Sequence, residues 1–163
     1  MLRFVEDHLR SSQVSRVIYG AIIGLALVVA LEHDPPRPAV MVGTLLATAV
    51  AVGLAELYSE VVGTEVRTRQ RVARAHVREI AVDVGAVAFG IGFPAGFFLL
   101  SVAGAMEVET ALALAKWSGL GLIGVYGFSA ARLAGAGLPA ALAQATTVAL
   151  IGAFLIVLKA LIH

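Results

Sequence analysis

The chain has no cysteine, which excludes disulfides, thiolate metal centres and cysteine nucleophiles. Charge is also scarce: 14% of the 163 residues are Asp, Glu, Lys or Arg, against roughly a quarter in soluble domains. The four histidines, His8, His33, His76 and His163, lie apart from one another and outside the apolar stretches. Neither HExxH nor a phosphate loop occurs, and no paired histidines suit a haem. Nothing here supports enzymatic chemistry of the soluble kind. What the chain has instead is apolar length, with 60% hydrophobic residues and a mean hydropathy of +0.93. A soluble core of this size could not hide that much apolar surface, so the sequence predicts an integral membrane protein whose first partner is the lipid bilayer.

Five segments qualify as membrane-crossing helices, about 14–31, 39–62, 80–105, 108–130 and 138–163. Each reaches or approaches the roughly 20 residues that a 30 Å hydrocarbon core demands. Helices are expected because backbone groups in lipid must be satisfied within the segment, and no alternating pattern points to a barrel. No repeat or linker divides the chain, so 1–163 is expected to be one five-helix, all-α membrane domain. Residues 1–13 have no long apolar core of the signal-peptide type. With Leu2, Val5 and Leu9 opposite Arg3, Asp7 and Arg10, they could form a short interfacial helix or a frayed end.

Basic residues set the expected direction. With the N-terminus inside, Arg3, Arg10, Arg16, Arg67, Arg69, Arg71, Arg74, Arg78 and Arg132 fall on the cytoplasmic side, and only Arg37, Lys116 and Lys159 toward the other. That bias predicts N-in, C-out. The Arg67–Arg78 stretch reads first as this topology signal, with a specific anionic-lipid role as the lesser alternative and no nucleic-acid partner expected.

Ionisable residues inside spans are costly and so become functional candidates. In LAELYSEVVG (54–63), Glu56, Ser59 and Glu60 share a helical face, with the small residues Gly53 and Ala49 further back on it. Asp83, near the start of the third span, is expected at similar depth, and Tyr126 approaches from the fourth. Such an oxygen set suits a hard or borderline divalent cation, or a proton relay. A plainer alternative stands beside it. The apolar run 39–55 is already about 26 Å long at 1.5 Å per residue, which would leave Glu56 at headgroup level and Glu60 in water. Asp83 could equally be a first-turn acid favoured by the helix dipole. Glu32, His33 and Asp34 form a weaker triplet on a Pro-flanked loop, Glu107 and Glu109 suit a solvated loop, and Lys116 and Trp117 suit interface anchors. Pro94, in GIGFPAGFF, should kink the third span, while Gly20, Gly24 and Gly53 should let helices approach closely.

The order of these features resembles the vacuolar iron transporter family. The resemblance rests on HLRSSQVSRVIYGAIIGLAL (8–27), GLAELYSE (53–60), Pro94 in a glycine-rich third helix, and SAARLAGAGLPAAL (129–142). It implies a homodimer with five N-in, C-out helices per chain that moves Fe²⁺ or Mn²⁺ out of the cytoplasm, coupled to protons, in a bacterial inner membrane for a chain of this kind. Glu56 falls on the family's second-helix glutamate and Ser59 on the serine after it; Glu60 and Asp83, which the resemblance does not supply, could replace the acid missing from the first helix. Two departures stand out. The family's first-helix Asn-Asp pair corresponds to Ile22 and Ile23, and its glutamate-rich metal-collecting segment is replaced by an Arg-rich connector, 64–79. The alternative is a non-transporting scaffold or subunit that keeps the fold for dimerisation or partner binding.

Overall fold

The computed structural model describes residues 2–162, with side chains at 13–154, 156–158 and 161. The expected amphipathic pattern of residues 1–13 and the side chain of Lys159 lie outside the described side chains. The described residues form six helices: α1 (Leu2–Leu31), α2 (Pro38–Thr68), α3 (Arg74–Gly92), α4 (Ala95–Val102), α5 (Val108–Leu133) and α6 (Leu138–Ile162). No strand occurs among the described residues.

Among the described residues four helices are long and apolar enough to cross a membrane, and α3 with α4 makes a fifth span if that bent pair is counted as one. The protein is therefore an all-helical, membrane-embedded chain of four or five spans. The break in the third span has a local cause. Pro94 lacks the N–H that would continue the hydrogen-bond ladder, and its ring displaces the preceding turn. The axis bends by 51° there, with Pro94 fully buried at the corner. Elsewhere the helices outrun the apolar segments. Backbone helix in α1 begins at Leu2 rather than near 14, and α2 continues to Thr68 rather than ending near 62. The α2 extension past Val62, GTEVRT, is mostly polar and contains no proline, and the single Gly63 is carried by the helix on either side. It ends where Arg69 turns left-handed at φ 54° and the Thr68 hydroxyl donates to the Thr64 carbonyl at 2.8 Å.

α1 lies at the centre. It packs against α3 on one side and α5 on the other, while α2 sits outside α3 and α6 outside α5. Three apolar clusters fill the seams. Val28, Met41, Leu45, Phe98 and Leu112 join α1, α2, α4 and α5. Leu25, Val29 and Ile123 join α1 to α5, with Val148 and Ile156 of α6 packed against them. Ala49, Val87 and Ile91 join α2 to α3, with Ile23 of α1 against them. In lipid such seams are held by packing and close approach, because the surrounding acyl chains are as apolar as the side chains.

The α1–α3 crossing is closest. A methyl group built on Gly24 would stand 3.0 Å from the carbonyl oxygens of Gly90 and Ile91, and one on Gly20 would fall on the carbonyl of Val87. From the other side, a methyl on Gly90 would lie 2.5 Å from the Ala21 nitrogen and 2.6 Å from the Val17 oxygen. Backbone thus rests on backbone along Gly20, Gly24 and Gly90. Gly53 makes a looser contact, its added methyl 3.3 Å from Val84 Cγ1, where α2 meets α3.

Candidate functional site

At the end of the bundle where α1, α2 and α3 leave the apolar zone, one arginine gathers three acids. Each nitrogen of the Arg16 guanidinium faces a different carboxylate. Nη1 lies 3.8 Å from Glu56 Oε2, Nη2 3.7 Å from Glu60 Oε2, and Nε 3.6 Å from Asp83 Oδ2. All three separations exceed hydrogen-bond length, so the attraction is electrostatic and leaves room for bridging water. Glu56 and Glu60 reach the arginine together because four residues in a helix return to the same face. Asp83 joins them from α3, one residue before Val84, whose side chain touches the Gly53 position.

The group is neither buried nor free in water. The Arg16 side chain is 21% exposed and that of Asp83 18%, while those of Glu56 and Glu60 are more open. Three carboxylates around one guanidinium leave two formal negative charges in excess. At partial burial that excess attracts any small cation within reach. Among the described residues no three His, Cys, Asp or Glu side chains converge closely enough to hold a metal ion directly. The guanidinium sits between them and holds them apart.

Glu56, Glu60 and Asp83 are thus brought together, through Arg16. Ser59 shares the α2 turn but is exposed and takes no part in the network. Tyr126 is half-buried on α5 and also stands outside it. The two positions aligned with the family's Asn-Asp pair are packed in apolar seams, Ile22 against the α1–α5 cluster and Ile23 against the α2–α3 cluster. They offer no ligand to any pathway.

Sequence reasoning missed Arg16 as a site residue, because counting it toward topology concealed its depth. The signal was present: Arg16 lies inside the first apolar segment, level with acids in the second and third, and an intramembrane charge needs a partner. A second pair was seen only as separate residues. Lys116 of α5 is bonded to Glu32 at the end of α1, with the lysine side chain 17% exposed. It ties the far end of the central helix to α5.

Comparison of the chain with protein-family models, with curated proteins and with solved structures gives no match.

Proposed function

We propose that this protein is a divergent membrane transporter of a divalent transition metal, Fe²⁺ or Mn²⁺, coupled to protons. It works as a homodimer, N-terminus inside, in a bacterial inner membrane. The observation that carries the reading is the surplus of carboxylate around Arg16: Glu56, Glu60 and Asp83 outnumber the one cation they enclose. A guanidinium serving only to tie helices together is neutralised by one acid. Two further acids at partial burial raise the energy of the fold unless they do something else. In this scheme the arriving cation displaces Arg16 and is held by the oxygens it vacates, with Glu56 first among them. The motif resemblance, above all GLAELYSE at 53–60, supplies the metal and the proton coupling.

Purified chain in proteoliposomes should move Mn²⁺ or Fe²⁺ when a pH gradient is imposed, and Glu56→Gln should stop it. Absence of flux for both ions from a folded wild-type chain would sink the proposal.

A second reading has its own support. Arg16 already occupies the centre of the acids, and Ile22 and Ile23 complete apolar seams. Both features suit a scaffold whose charges fasten α1, α2 and α3. That reading requires the folded chain to be inert in the same assay while Arg16→Gln loosens the bundle.

A further inference from the structure

We infer that the α2–α3 turn and the first two turns of α3 form a binding site for the headgroup of an anionic phospholipid. The observation is a set of arginines left without partners. Segment 64–79 carries Arg67, Arg69, Arg71, Arg74 and Arg78 against only Glu65 and Glu79. Both acids are engaged. Glu65 Oε1 accepts from the Val72 N–H at 3.2 Å, folding the turn, and Glu79 Oε2 lies 3.0 Å from His76 Nδ1. Among the described residues, the side chains of Arg69, Arg71, Arg74 and Arg78 have no ion pair or hydrogen bond, and all four are exposed.

Their placement selects the occupant. Arg74, Arg78 and Val82 recur every four residues, so they line one face of α3. Val82 is 56% exposed at the edge of the apolar zone that begins near Ile80. Arg78 stands about 3 Å beyond that edge and Arg74 about 9 Å, taking 1.5 Å per residue. Arg78 thus falls within the phosphate and headgroup layer, which adds about 5–8 Å on each side of the hydrocarbon, and Arg74 stands at its outer margin, within side-chain reach of it. A shallow cleft of about 420 Å³ lined by Ala75, Arg78, Glu79 and Val82 opens there. With Arg78 at one end, Val82 at the other and the Glu79 carboxylate on its wall turned to His76, it matches a lipid phosphate with its first acyl carbons. A soluble anion would use the arginines and leave Val82 bare. A nucleic acid would need a basic surface standing clear of the bilayer.

The test uses the full chain in neutral detergent, titrated with phosphatidylglycerol and with phosphatidylcholine of the same acyl chains, and read by native mass spectrometry. Near an anionic lipid surface each arginine is worth about fivefold in affinity. Wild type should therefore prefer phosphatidylglycerol by tenfold or more, with the preference shrinking in high salt. Arg74→Gln with Arg78→Gln should lower it to within about threefold of phosphatidylcholine, while Arg37→Gln, an exposed arginine at the opposite end, keeps it. Equal binding of the two lipids by wild type would overturn the assignment, as would a folded double variant that retains the preference. Displacement of phosphatidylglycerol by equimolar inorganic phosphate, or by a short oligonucleotide, would also overturn it and name the true occupant.

Discussion

Gly90→Ala is the most direct test of how this bundle is held. A methyl group at position 90 would lie 2.5 Å from the backbone nitrogen of Ala21 and 2.6 Å from the Val17 oxygen, where ordinary contact begins near 3.4 Å. Those atoms are backbone in the central helix and cannot swing aside as a side chain could. α1 and α3 must separate by about 0.9 Å locally. Overpacking of this kind costs about 3 kcal/mol at the upper end of its usual range. Losing the close Cα–H···O contacts along Gly20 and Gly24 removes about 1 kcal/mol more. The better helix propensity of alanine returns about 1 kcal/mol. The net expectation is a loss of about 3 kcal/mol, or roughly 6–12 °C in Tm for a chain of this size. Thermal unfolding followed by circular dichroism in detergent measures it, with Gly85→Ala as control. Gly85 lies in the same helix with nothing within 4 Å of its added methyl, so its substitution should leave Tm unchanged or slightly raised. Equal Tm values for the two variants would refute the idea that backbone contact at Gly90 holds α1 to α3.

Arg16→Gln leaves three carboxylates facing one another without a cation and should lower stability by about 2 kcal/mol, between the exposed and buried limits for broken ion pairs. Adding Glu60→Gln should recover part of that loss; no recovery in the double variant would show that the three acids do not act as one group. For Lys116 and Glu32, a double-mutant cycle with Lys116→Met and Glu32→Gln should give a coupling near 1 kcal/mol, and strict additivity would mean the pair does not hold α1 to α5. Phe98→Ala empties a fully buried position where α4 meets α2 and α5 and should cost about 3 kcal/mol; a shift under 2 °C in Tm would place α4 outside the cooperative core.

The helices were legible because crossing a membrane imposes length and apolarity together, and those two properties are written residue by residue. Their ends were less so. The tail of α2 past Val62 has turned polar, and hydropathy stops where lipid stops, whereas the hydrogen-bond ladder continues into water until Arg69 breaks it. Pro94 announced the bend in the third span, since its missing N–H acts locally. Glu56, Glu60 and Asp83 could be placed at one level by counting turns. Counting could not reveal that one arginine from α1 faces all three, because relative rotation of helices depends on tertiary packing. Gly20 and Gly24 were visible as a pair, but their counterpart Gly90 emerges only when α3 is laid against α1. Ile22 and Ile23 were visible as apolar residues where the resemblance expects Asn and Asp, and the fold adds where those side chains lie, in two different apolar seams.

The central position of α1 has a consequence for how the chain is made. Of these six helices, the one that leaves the ribosome before the others has its main neighbours in α3 and α5 and few contacts with α2, the helix that follows it. α1 and α2 alone therefore bury little of the central helix, and Arg16 with Glu56 and Glu60 is their main link. The glycine groove of α1 stays open until the third helix arrives with Gly90, and Arg16, which can meet Glu56 and Glu60 of α2 earlier, gains Asp83 only then. Synthesis at about 5–20 residues per second makes that interval several seconds. Throughout it, Arg16 is held near the membrane edge by its own need for water. The order of emergence thus gives the arginine a second duty, as a temporary stop that keeps the first helix in register until its partner comes.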